Sequence, residues 1–184
     1  MKIPVGISSC LMGENVRYDG GNRFDLLIHE TLGEVFEFVP FCPETAIGLG
    51  VPREPIRLVG DTDSDRIRCL SLDGTSDYTE CLTQYALQQR EPHSRLCGYV
   101  FKKGSPSCGV DSVKVWRRDQ TLPTGTGIYA ATLMKLYPWL PVEEEGRLHD
   151  TALRARFMQR VIALHQRRAR RPKGCRDNNQ GASE

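Results

Sequence analysis

Two short apolar runs open the chain, "KIPVGIS" (Lys2 to Ser8) and "FEFVPFC" (Phe36 to Cys42), each followed by polar, glycine- or proline-bearing sequence. They predict two buried strands. Between them, a loop through Gly20-Gly21 leads to a helix over about Phe24 to Gly33, with Leu26, Leu27 and Leu32 as its apolar positions. "CPETAIGLGVPREP" (Cys42 to Pro55) reads as loop, because three prolines and two glycines deny it regular hydrogen bonding. "IRLV" and "IRCLSL" predict a β-hairpin closed near Gly60-Asp61, after which Asp77 caps a helix running to about Arg90. "LCGYVFK" (Leu96 to Lys102) reads as a third central strand ending at "KGSPSCG" (Lys103 to Gly109). "TGTGIYAATLMKLYP" (Thr124 to Pro138) predicts a helix behind a glycine-rich start, and "WLPVEE" a last short strand. Leu148 to Arg171 follows as an amphipathic basic helix with Leu153, Phe157, Val161 and Leu164 on one stripe. Strands alternating with helices argue for an α/β fold: a Rossmann-like, mostly parallel sheet with helices on both faces.

Length changes this picture little: 184 residues, 39% hydrophobic and 26% charged, fit one globular domain over 1–150 with an appendage over 151–184. No apolar run approaches the roughly 20 residues needed to cross a bilayer. The N-terminus carries one lysine and an apolar stretch broken by Pro4 and Gly6, unlike a secretory signal, so a cytoplasmic protein is expected. Charge matters more. Residues 151–184 hold nine basic residues against Asp177 and Glu184, a net of +7, which leaves −5 on the remainder. An acidic body with a basic helix and polar tail suits an anionic partner such as nucleic acid, and it also suits a merely solvated charged helix.

Seven cysteines are many for a chain expected in a reducing compartment, and their positions sort them. Cys10 follows strand one, Cys42 follows strand two, and Cys108 lies in the loop after the third central strand. In a parallel sheet all three reach the carboxyl edge, where open α/β sheets bind ligands. Cys69, Cys81 and Cys97 fall inside predicted strands or a helix and read as small apolar packing groups, and Cys175 as a bystander in the tail. Ser9 before Cys10, and Ser107 and Gly109 around Cys108, offer backbone amides to a bound cofactor. Three thiolates without a fourth make an open site for zinc with a water or for a four-iron four-sulfur cluster, while ordinary burial of all three remains an equal reading of the spacing. Glu44, two residues past Cys42, lies in a loop close to that site, where desolvation fits it for proton transfer; a helix N-terminal or solvent-facing glutamate is the commoner reading. Ser105 is a candidate hydrogen-bond donor or plain turn chemistry, and Arg17 with Asp19 either orients a substrate or holds a loop by an ion pair.

"GISSCLMGENVRYDGG", "FCPE" and "KKGSPSCG" together resemble the TudS-type thiouracil desulfidases, over roughly residues 1 to 150 and with three separated motifs in the same order. The resemblance implies an oxygen-sensitive 4Fe-4S cluster held by cysteines matching Cys10, Cys42 and Cys108, and catalytic roles for a glutamate and a serine matching Glu44 and Ser105. It implies a non-redox hydrolysis of C=S to C=O on a thiolated pyrimidine, with release of hydrogen sulfide. Longer relatives of the RudS type continue into a helical second domain and act on 4-thiouridine in tRNA. Here "LRARFMQRVIALHQRRAR" resembles the opening of that domain, but the chain then runs into "GCRDNNQGASE". Three expectations result: desulfidation of a free thiopyrimidine, desulfidation of 4-thiouridine in tRNA through the basic tail, or a zinc- or cluster-binding sensor that contacts nucleic acid without catalysis.

Overall fold

A computed structural model of the chain describes residues 2–60, 66–117 and 120–170. Its first sheet has strand order β2-β1-β5-β8 and is parallel throughout: β1 (Ile3–Ser8), β2 (Phe36–Phe41), β5 (Tyr99–Phe101) and β8 (Val142–Glu144). The continuous apolar character of β1 reflects burial on both faces, as expected of a central parallel strand. On one face Ile3, Val5 and Ile7 meet Ile28 and Leu32 of helix α1 (Leu26–Leu32) and Phe157 and Val161 of helix α6 (Thr151–Arg170). Two residues of the predicted α6 stripe are thus in the core, and Gly98 lets the helix close on the sheet: a Cβ there would stand 2.6 Å from Val161.

The opposite face packs against α3 (Thr79–Gln88) and α5 (Ile128–Leu136), with Ala86, Tyr129 and Leu133 meeting Phe41, Tyr99 and Phe101. These helices also cover a second sheet, a correction to the single sheet expected. Its order is β4-β3-β6-β7, built from β3 (Ile56–Gly60), β4 (Ile67–Ser71), β6 (Val113–Arg117) and β7 (Gln120–Gly125), with β3 and β6 parallel and both outer pairs antiparallel. Leu58, Cys69, Val113 and Val115 bury its inner face against Leu82 and Ile128. The layers therefore run α1/α6, parallel sheet, α3/α5, mixed sheet.

The β3–β4 hairpin, α1 and α6 lie where the sequence places them, with the hairpin turn at 61–65 outside the described residues. Asp25 caps α1 by accepting from the Ile28 amide, and the Asp77 side chain accepts from the Thr79 amide at 2.9 Å. Three readings are corrected. Cys42 to Pro55 contains a helical turn, α2 (Pro43–Ala46), because Pro43 at its first position needs no amide donor. The helix expected from Thr124 starts at Ile128, and the residues before it form β7, an edge strand where a proline and a glycine are tolerated. The helix toward Arg90 breaks at Gln89 and resumes as α4 (Arg90–Ser94).

Candidate active site

In the parallel sheet the chain leaves β1 toward β2 on one side, while β5 lies on the other. Such a reversal opens a crevice beyond the carboxyl ends of the strands. A cavity of about 560 Å³ occupies this place, and Cys10, Cys42 and Cys108 all line it. Cys10 sits in a 3-10 turn (Ser9–Met12) directly after β1, closed by Gly13 at φ 90°, a conformation that favours glycine. Cys42 is the residue just before α2. Cys108 lies in the loop after β5, whose Lys102 amide is tied back to the Ser8 hydroxyl at the end of β1 at 3.0 Å.

Burial pushes the Cys10 thiol up to about 11, with Lys102 opposing. The Cys108 thiol is driven up still further by burial first and the Glu44 carboxylate second, against hydrogen bonds from Ser107 and Ser8. Burial therefore favours the neutral thiol form of both. Among the described residues no three His, Cys, Asp or Glu side chains converge closely enough to hold a single metal ion. Among the described residues lining the cavity, Cys10, Cys42 and Cys108 supply three soft thiol donors, a set whose chemistry fits an iron–sulfur cluster.

Glu44 stands in the same wall, in the first turn of α2. It is not left alone there. Its Oε2 receives Arg53 Nη2 at 2.7 Å and Nε at 3.2 Å, and its Oε1 accepts from Ser107 Oγ at 2.6 Å and Ser105 Oγ at 3.3 Å. The Glu44 and Arg53 side chains are 13% and 8% exposed, so the pair is largely withdrawn from solvent. Arg53 also donates to the carbonyls of Gly50 and Val16, which joins the Cys42 segment to the loop after Cys10. Sequence reading missed Arg53. Its one available signal was a basic residue in a Pro/Gly-rich loop beginning at a candidate ligand.

The loop 105–109 uses its own amides. Ser107 and Cys108 amides donate to Ser105 Oγ at 3.3 and 3.2 Å, and the Gly109 amide to the Ser105 carbonyl at 2.8 Å. The expectation that the Ser107 and Gly109 amides are free for a cofactor is therefore corrected: the turn is tight enough to satisfy them internally. Ser9, only 4% exposed, lines the cavity. Arg17 and Asp19 form the expected ion pair at 3.2 Å, which together with the Gly21 amide holds the Asp19 carboxyl below its ordinary range; Arg17 lines the cavity and Asp19 does not. Cys69 and Cys97 are buried as expected, whereas Cys81 is exposed, because α3 turns Leu82 and Ala86 inward instead. Cys175 lies outside the described residues.

Fold and site together define an α/β protein with a thiol-lined cavity and an ion-paired carboxylate at the open edge of its parallel sheet. A family model described as 2-thiouracil desulfurase matches residues 5–145; the chain belongs to that family and is a desulfidase. A Bacillus subtilis (strain 168) protein, described as the uncharacterized protein YbbK, is 30% identical over 132 residues, covering 69% of this chain and 87% of its own. The solved structure of a [4Fe-4S]-dependent thiouracil desulfidase, TudS, matches with TM-score 0.63 and 26% identity, over 84% of this chain and 99% of that one.

Proposed function

We propose that this chain hydrolyses the thiocarbonyl of a free thiolated pyrimidine of the thiouracil type, with Glu44 as general base and Cys10, Cys42 and Cys108 holding a 4Fe-4S cluster. When bound, that cluster supplies a Lewis-acidic iron suited to soft sulfur. The overall change takes C=S and water to C=O and hydrogen sulfide, so no electron enters or leaves.

The observation that carries the reading is the setting of Glu44: a carboxylate in the wall of the thiol-lined cavity, with one oxygen fixed by Arg53 and the other facing two serine hydroxyls. Oε1 is the atom that takes the proton of the attacking water. Ser107 Oγ, at 2.6 Å from Oε1 and 2.9 Å from Ser105 Oγ, offers a path along which that proton moves. Arg53 keeps the carboxylate in place while it exchanges the proton. The cavity's cationic lining, including Arg17, Lys102 and Lys103, favours the negative charge that develops on the ring as the carbon becomes tetrahedral.

The test is anaerobic reconstitution with iron and sulfide, followed by assay of sulfide release from 2-thiouracil, 4-thiouracil and 4-thiouridine-bearing tRNA. Brown protein that turns over a free base is expected, with cluster and turnover both lost in Cys10→Ala, Cys42→Ala and Cys108→Ala. Glu44→Gln should keep the cluster and lose turnover. A colourless zinc protein, or a brown one inert on every substrate, would return the chain to the sensor reading; turnover on tRNA alone would replace the free base as substrate.

A further inference from the structure

Among the described residues, two exposed aromatic side chains line the active-site cavity, Tyr18 at 41% and Trp116 at 43%. Trp116 is the one built on a rigid support. It stands on β6, which is paired to β3 on one side and β7 on the other, with Val59 and Thr121 as its register partners. The alternation of β6 buries Val113 and Val115 in the core and turns Lys114 and Trp116 to the opposite face, where both line the cavity. β6 follows directly from the loop that carries Cys108, and Glu144 ties that connection down by accepting from the Val110 amide at 2.7 Å and the Ser112 hydroxyl at 2.8 Å. One stretch of chain thus sets both a thiol and the indole.

Arg57, on the neighbouring strand β3, lays its guanidinium over the Trp116 ring, with Cζ 5.9 Å from the centroid. Its Nε is buried with no hydrogen-bond partner. A polar nitrogen withdrawn from water is costly unless something receives it, and the electron-rich indole face is the group that Arg57 covers. The pair fixes the indole from one side and leaves ring surface open to the cavity. A protein interface is the poorer reading of this tryptophan. Its companions along the cavity wall include Arg57, Lys103 and Lys114, and the cores of interfaces are depleted of charge, lysine above all. At about 560 Å³ the cavity has instead the size of a small-molecule site, and heterocyclic bases stack on aromatic side chains because every base has a π-face.

We propose that Trp116, held by Arg57, is the platform on which the pyrimidine ring of the substrate lies, and that it selects rings by their flatness. It reads the face of the ring, while Glu44 and the thiols act at the thiocarbonyl. The identity of the ring rests on the thiopyrimidine reading above; the platform itself does not require turnover.

The test is equilibrium dialysis of the reconstituted full chain against radiolabelled uracil, which carries the ring and cannot turn over, and against 5,6-dihydrouracil, whose saturated C5–C6 bond puckers it. Trp116→Leu should bind uracil roughly 5- to 100-fold more weakly, the range of a base–aromatic stack, with iron content and melting temperature unchanged. Trp116→Phe should recover most of the affinity. Wild type should favour uracil over 5,6-dihydrouracil, and Trp116→Leu should lose that preference, which a general loosening of the fold could not produce. In turnover of 2-thiouracil the same loss should fall on KM with kcat held, the signature of binding shared by substrate and transition state. Undetectable uracil binding by wild type, unchanged affinity in Trp116→Leu, or a loss that falls on kcat or iron content instead would overturn the platform. If no protein releases sulfide while uracil binding follows position 116, the desulfidase reading fails and the platform stands; turnover and binding both indifferent to position 116 sink the platform alone.

Discussion

Arg53 places its guanidinium against three acceptors at once, the Glu44 carboxylate and the Val16 and Gly50 carbonyls. Replacement by methionine leaves a carboxylate withdrawn from solvent without its counter-charge, a loss of about 3–5 kcal/mol. Arg53→Met should therefore lower the melting temperature markedly and abolish turnover, whereas Arg53→Lys should recover much of the stability without the two-point grip on Oε2; thermal denaturation beside sulfide release distinguishes them. The two serines separate in the same way. Ser107→Ala removes the short hydrogen bond to Glu44 and should lower kcat by about 10- to 100-fold with iron content unchanged, the scale of a hydrogen bond to a charged group. Ser105→Ala removes the acceptor that folds the Cys108 turn, so iron content should fall as well. His93 is buried with Nε2 at 2.8 Å from the Tyr129 hydroxyl, and burial lowers it from 6.5 to about 4. Between those values the unfolded chain holds a proton that the folded one refuses, so stability falls as pH drops from about 6.5 toward 4. His93→Gln should flatten that decline by up to about 1.4 kcal/mol per pH unit, read from urea unfolding at several pH values.

At the scale of elements, α5 and the loop 105–109 are one unit. The amides of Gly127, Ile128 and Ala130 donate to the carbonyls of Gly109, Pro106 and Ser107 at 2.7, 3.1 and 3.1 Å, so the loop caps the helix. A Cβ on Gly127 would stand 2.4 Å from the Ser107 carbonyl carbon and 2.7 Å from the Cys108 nitrogen, backbone atoms with nowhere to go. Gly127→Ala should thus displace Cys108 and lower both stability and iron content, measurable by melting temperature and iron analysis. Legibility in the sequence follows the same division into elements. The strands β1 and β5 announce themselves because burial on both faces demands apolar runs, and the edge strand β2 is marked by Phe36, Phe38, Val39 and Phe41 despite an exposed Glu37. In β6, "VKVWR" alternates cleanly, with Val113 and Val115 buried and Lys114 and Trp116 exposed, but five residues amid charged neighbours carry little weight. Its partner β7 contains Pro123 and Gly125, which argue against a strand anywhere except an edge.

For the whole molecule, the three thiols were legible because strand ends in a parallel sheet share one edge, a property of topology that survives errors elsewhere. Arg53 was not, because its role depends on how a loop folds back across 37 residues to the Val16 carbonyl, and local pattern does not encode such a return. Charge segregation was visible at once, but which side of α6 turns away from solvent became specific only when Phe157 and Val161 were seen in the core. The capping of α5 by the Cys108 turn reaches further than the active site. Amide protons at Gly127, Ile128 and Ala130 exchange with solvent only when that turn opens, so their deuterium uptake is a clock on the turn's breathing. A group that grips Cys108 holds the turn shut. Loading the site should slow exchange at the head of α5 while leaving the far end of α6 untouched, which makes three backbone amides a built-in gauge of occupancy that needs neither colour nor turnover.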